Sequence, residues 1–134
     1  MKKQLNVAGG IFIENGRVLA AMRGESRYAY VAHKYEFVGG KIEEGESPEQ
    51  ALIRELKEEM GAEIEIISHY MTLTHEYPHF IITLHTYLCR FTSRFHIYEH
   101  ERVDFLSAEE LCEDNWAPAD APVVRKLKEE LSED

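Results

Sequence analysis

Positive charge is what this chain has least of. It carries 15 Lys and Arg against 25 Asp and Glu, a formal net charge of −10 with His neutral. That balance argues against a nucleic-acid polymer or an anionic membrane as partner, since both would be repelled. Cysteine is scarce too. Cys89 and Cys112 have no motif spacing, so both are expected to be reduced, buried thiols. There is no apolar run long enough to span a bilayer and no secretory signal, and the expected location is cytoplasmic. Repeats, low-complexity tracts and linkers are missing, so residues 1–134 are expected to form one domain. The chain also lacks a P-loop, a G-x-S-x-G turn and any Cys–His signal. Of its seven histidines none has a zinc spacing; His75 and His79 are four apart, but Pro78 breaks any helix between them.

What the chain does have is concentrated in residues 39–62, GGKIEEGESPEQALIRELKEEMGA. Ser47 is a good N-cap, Pro48 fits the first helical position, and Gln50 completes a capping box with Ser47. Gly61 falls where a left-handed C-terminal residue is wanted. Between these signals Leu52, Ile53, Leu56 and Met60 fall on one arc, which is expected to face a core. Glu55, Glu58 and Glu59 fall on a second arc beside it. Like charges this close cost a few tenths of a kcal/mol per pair in water. A solvated acidic face is the ordinary explanation for such a run. Arg54 abutting the cluster and a glycine-rich loop leading into the helix point elsewhere, because all-oxygen clusters suit hard cations such as Mg²⁺. A divalent ion would also resolve how so acidic a protein could hold an anionic substrate.

Gly40, Glu46, Arg54, Glu55, Leu56, Glu58, Glu59 and Gly61 have the spacing G-x5-E-x7-R-E-U-x-E-E-x-G-U. The chain therefore resembles the Nudix hydrolases, whose box this is. Every fixed position matches, and only the final aliphatic position, Ala62, departs. The lead-in Glu36-Phe37-Val38-Gly39-Gly40-Lys41 resembles the E-F-P-G-G-K of the MutT-type branch, with Val38 in place of proline.

The remaining segments read as strands and helices in alternation. Apolar-rich runs at 5–13 and 17–22 flank Asn15-Gly16, a hairpin signal. Residues 24–34 read as a loop whose Tyr28, Tyr30 and His33 either cover a ligand or pack on the surface. A short strand over 35–38 feeds the glycine loop. Long strands over 63–75 and 80–91 break at Tyr77-Pro78, because proline cannot continue a central ladder. A strand over 102–106 and a short helix opened by Ser107 with Glu110 follow. The last helix, about 122–131, has Val123, Val124, Leu127 and Leu131 at helical spacing. Strands with interspersed helices give an α/β fold with a mixed sheet between helices. The Nudix resemblance implies the same: an α/β/α sandwich.

The resemblance also implies a site. It places metal ligands at Glu55, Glu58, Glu59 and the Gly39 carbonyl, with a further ligand from a distant loop at Glu99, or at Glu101 if the alignment slips. Mg²⁺ is the implied ion, with Mn²⁺ as a substitute. It makes Glu55 ligand, base or both, with Glu99 the alternative base, and Arg54 the residue that pins the glutamates. Glu46 and Lys41 are implied as loop-fixing or phosphate-side residues, Phe37 as a wall of the nucleobase pocket, and Arg23 as a substrate contact. Asp120 occupies a base-reading position, and a family member acting on cytosine nucleotides and damaged purines has Asp in a similar A-P-A-D-x-P stretch. Asp120 also stands just before a helix, where it would cap. Ionised, it is acceptor-only and would favour bases offering donors over the position-4 carbonyl of thymine and uracil. The implied activity is Mg²⁺-dependent hydrolysis of cytosine, oxidised or other nucleoside triphosphates to monophosphate and pyrophosphate. Rival readings are an ADP-ribose or dinucleotide pyrophosphatase, and a catalytically silent nucleotide-sensing module. The partner is a small-molecule nucleotide; monomer and homodimer both stay open.

Overall fold

The computed structural model describes residues 2–24, 26, 31–96 and 102–132. The chain runs β1 (Lys3–Glu14), β2 (Arg17–Met22), β3 (Tyr35–Glu36), β4 (Val38–Lys41), α1 (Pro48–Met60), β5 (Ile64–Glu76), β6 (Phe80–Phe91), β7 (Arg102–Leu106) and α2 (Ala121–Ser132). Three 3-10 turns, at Ala108–Glu110, Glu113–Asn115 and Pro118–Asp120, lead into α2.

Asn15 and Gly16 have φ of 52° and 74°, the two positive angles that a type I′ hairpin needs. They return β1 into β2, which pair antiparallel at Ile13↔Val18. The sheet is mixed. Its strand order is β3-β2-β1-β6-β5, with β4 on β1 and β7 on β2. β1 and β6 run parallel from Lys3↔Phe80 to Phe12↔Cys89, while β5 and β6 are antiparallel.

Side chains alternate across a strand, and that alternation divides the core. Ala8, Phe12, Leu19 and Ala21 face α1 and pack with Leu52, Leu56 and Met60. Ile11, Val18, Ala20 and Leu84 face the other way and pack with Trp116, Val123, Val124 and Leu127. The result is the expected sandwich, with α1 and α2 on opposite faces of one sheet.

Four expectations need correction. The 35–38 strand is two strands separated at Phe37, and the second carries both glycines of the loop. Ile53 is 47% exposed rather than core-facing, and Ala51 is buried instead. The arc that α1 buries runs through Ala51, Leu52, Leu56 and Met60, and at 100° per residue Ile53 falls at its edge. Cys89 is buried as expected, but Cys112 is exposed at the start of a surface turn. Asp120 caps nothing. It ends a 3-10 turn that runs straight into α2, and no hydrogen bond reaches its carboxyl among the described residues.

Candidate active site

The glycine loop and α1 are held by sequence-local devices. Ser47 Oγ accepts from Gln50 N at 3.1 Å, Gln50 Oε1 accepts from Ser47 N at 2.9 Å, and Gly61 takes a left-handed φ of 58°. Gly39 has φ 150°, and a Cβ there would lie 1.9 Å from the Ala8 carbonyl oxygen across the ladder. A Cβ on Gly40 would sit 2.3 Å from the Glu55 carboxyl carbon. The missing side chain at 40 is thus the space that Glu55 occupies.

Arg54 organises the acids around that space. Its Nε and one terminal nitrogen hold Glu46 bidentately at 2.7 and 3.0 Å, and the second also reaches the Lys41 carbonyl at 3.0 Å. The other terminal nitrogen donates to Glu55 Oε1 at 2.9 Å and Glu58 Oε2 at 3.2 Å. Glu46 also accepts from the Glu43 amide at 2.9 Å. The Arg54 bonds and that amide bring the Glu46 carboxyl down to about 2, and the same acids push the guanidinium further up.

A cleft of about 930 Å³ opens beside this network. Glu55, Glu59, Gly39, Gly40 and Lys41 of the box line it together with Arg23, Glu36, Phe37, Tyr77, Phe80 and Asp120, and with Leu5, Val7, Ile82 and Leu84. Of the expected site residues, the cleft brings together Arg23, Phe37, Gly39, Lys41, Glu55, Glu59 and Asp120. Glu58 is turned away, with a side chain 62% exposed and bonded to Arg54. Among the described residues no three acidic or imidazole side chains converge as a ready ligand set. Arg54 draws two of the three box carboxylates, Glu55 and Glu58, onto itself. Glu99, Glu101, Tyr28 and Tyr30 lie outside the described residues. His33 does not line the cleft, whereas Val31 from the same loop does.

The residues present fit a hard cation in type. Glu55, Glu59 and the Gly39 carbonyl are oxygen donors at one wall, and Gly40 leaves the Glu55 carboxyl its place.

Asp120 stands in a different electrostatic setting. Asp120 is 6% exposed. Burial, and then the charge of Glu36, push its carboxyl well up, and Arg23 only partly opposes them. Arg23 is itself engaged by Glu36 at 3.2 Å. Burial and the Glu36 charge both favour the neutral acid, which has one acceptor and one donor, over the acceptor-only ionised form. Phe37 is buried against Trp116 at a ring distance of 4.7 Å, so one ring serves both the core and the cleft wall.

Several lining residues escaped the sequence. Lys3, Leu5 and Val7 on β1 and Phe80, Ile82 and Leu84 on β6 form the floor, in register across the parallel pair. Their period-2 alternation was the available signal. Which distant strand lies beside β1 was not readable from it.

A NUDIX domain profile matches residues 2–130. The chain is 39% identical over 128 residues to the 8-oxo-dGTP diphosphatase of Escherichia coli K12, covering 94% of this chain and 98% of that protein. It is 34% identical over 123 residues to the CTP pyrophosphohydrolase of the same organism, covering 91% and 90%. It superposes at a TM-score of 0.74 on the solution structure of MutT, described as a Nudix hydrolase, from methicillin-resistant Staphylococcus aureus 252, with 39% identity over 97% of this chain and 99% of that one. The chain belongs to the Nudix hydrolase family.

Proposed function

We propose that this enzyme hydrolyses nucleoside triphosphates between the α and β phosphorus atoms, giving a monophosphate and pyrophosphate, with a cytosine or oxidised guanine nucleotide as the preferred class. The observation that carries this reading is the continuity of the cleft. Box carboxylates line the same space as the polar side chain of Asp120 and the aromatic rings of Phe37 and Phe80, and at about 930 Å³ it is large enough for a nucleotide. The 8-oxo-dGTP diphosphatase and CTP pyrophosphohydrolase relatives support the substrate class.

Glu55, Glu59 and the Gly39 carbonyl would hold the divalent cation, with Mg²⁺ the preferred ion and Mn²⁺ a substitute. When bound, the cation supplies positive charge against the phosphoryl oxygens and lowers the pKa of an attacking water. The rest falls to the chain. Arg54 engages Glu55 Oε1, which leaves Oε2, beside Gly40, as the atom to take a proton from water. Lys41 supplies a side-chain cation in the cleft for the phosphates, and Arg23, paired with Glu36, contacts the substrate nearer Asp120. Phe37 walls the base, and Asp120 reads its edge. Water adds OH to one phosphorus and H to the departing phosphate oxygen, so no other reactant is needed.

The test is a panel of normal and oxidised nucleoside triphosphates with Mg²⁺, read as kcat/KM with ³¹P NMR of the products. Monophosphate plus pyrophosphate is expected. AMP plus ribose phosphate from ADP-ribose, with the triphosphates inert, would replace this reading with the rival one. Inertness toward every nucleotide would favour the sensing module.

A further inference from the structure

The Tyr77-Pro78-His79 turn, which the sequence marks as a break between two strands, reaches across the fold to the turn carrying Asp120. The Tyr77 hydroxyl accepts a hydrogen bond from the Ala119 amide at 2.9 Å, over 42 residues of chain. Both residues are buried, at 4% and 3% exposure. We propose that the Tyr77 hydroxyl is the positioning group for Asp120 and, through it, sets which base the cleft accepts; this rests on the nucleotide reading of the cleft.

The Pro118–Asp120 turn stands at the entry of a helix, where the first backbone N–H groups have no intrahelical acceptor. The Asp120 amide is satisfied by the Ala117 carbonyl at 2.8 Å, and the Ala117 amide by the Tyr35 carbonyl at 2.9 Å. Ala119 stands between them and has only the tyrosine. Tyr77 is itself fixed. Its amide donates to the Phe80 carbonyl at 2.8 Å, its own carbonyl accepts from Lys2 Nζ at 3.0 Å, and its ring packs on His75 and Phe80 at 4.5 and 5.0 Å. The chain therefore holds the residue preceding Asp120 through a rigid group on a different part of the sheet. No hydrogen bond to the Asp120 carboxyl among the described residues helps to place it, so its position depends on the backbone beneath it.

The test variant is Tyr77→Phe, which keeps the ring and removes the acceptor. The readout is the kcat/KM ratio for the two triphosphates that the wild-type enzyme separates most. The ratio should narrow by about 5- to 10-fold, the worth of one net hydrogen bond. The change should fall on KM, with kcat within about twofold at saturating substrate, because the bond removed is to the Ala119 amide and to no box residue. In an Asp120→Asn background the same substitution should leave the ratio unchanged, since the effect passes through that side chain. Amide exchange at Ala119 should quicken by a similar factor. An unchanged ratio with only a lowered Tm would make Tyr77 a fold residue and overturn the proposal, as would an equal loss in the Asp120→Asn background. If the wild-type enzyme turns over no nucleotide, the functional reading fails by itself and the base-selection proposal falls with it. Ala119 exchange then still decides whether the tether exists.

Discussion

Two carboxyl groups, one behind the glycine loop and one in the cleft, are treated in opposite ways. Glu46, beside the glycine loop, takes two bonds from Arg54 and one from a backbone amide, and its carboxyl is held down at about 2. Asp120, in the cleft, takes none among the described residues, stands buried near the charge of Glu36, and is pushed well up. Acidity follows donors and water, not residue type. The first setting fixes negative charge against Arg54, which in turn holds Glu55. The second holds a group whose charge is negotiable, as a site for an uncharged base requires.

The largest effects should come from the box. Glu55→Gln and Glu59→Gln should each lower kcat by about 10²–10⁴-fold, the range for loss of a base or ligand. Steady-state kinetics at saturating Mg²⁺, with circular dichroism to confirm folding, decides the matter; near-wild-type kcat in both would remove these residues from the chemistry.

Smaller changes should arise at Asp120, and they depend on pH. The neutral acid offers adjacent donor and acceptor atoms and fits the edges of cytosine and thymine alike. The ionised form offers two acceptors and fits the adjacent N1 and N2 donors of guanine. Raising pH should therefore widen the guanine-to-thymine ratio of kcat/KM, and Asp120→Asn should flatten that dependence. A wild-type ratio constant from pH 6 to 9 would show that the carboxyl does not titrate against the base. The same shift has a sign for stability. A carboxyl whose folded value is raised above 3.8 contributes most below 3.8, and its contribution is lost as pH rises through the folded value. The stabilisation from Asp120→Asn should accordingly grow with pH, read as a widening Tm difference.

The smallest effect is on the Arg54 network. With Glu46 lowered from 4.5 to about 2, its contribution is complete above 4.5 and lost as pH falls through about 2. The Tm gap between wild type and Glu46→Gln should be constant down to about pH 4.5 and close by about pH 2. A gap that persists at pH 2 would mean the bond matters by shape rather than charge.

Legibility divided along the same line. The box was readable because its devices are local: Ser47 and Gln50, Arg54 and Glu46, Gly40 and Glu55 lie within a few helical turns of one another. The hairpin at Asn15-Gly16 and the cap at Gly61 were readable for the same reason. The rest of the cleft was not, because it is assembled by pairings that no local pattern encodes. Val7 meets Leu84 through a parallel ladder, and Tyr77 meets Ala119 through a buried hydroxyl. Asp120 shows the limit well. A cap is a local expectation, and it failed where a 3-10 turn carried the chain into α2 without one. The upward push on its carboxyl was not legible either, because burial and the nearness of Glu36 are tertiary facts.

The division of labour along the cleft is tested most directly by measuring kcat and KM for the two best-separated nucleotides in Glu59→Gln and in Asp120→Asn. The expected result is that Glu59→Gln loses kcat about equally for both nucleotides and keeps their ratio, while Asp120→Asn keeps kcat and moves the ratio. A shift in the nucleotide ratio by Glu59→Gln, or a comparable fall in kcat by Asp120→Asn, would contradict it.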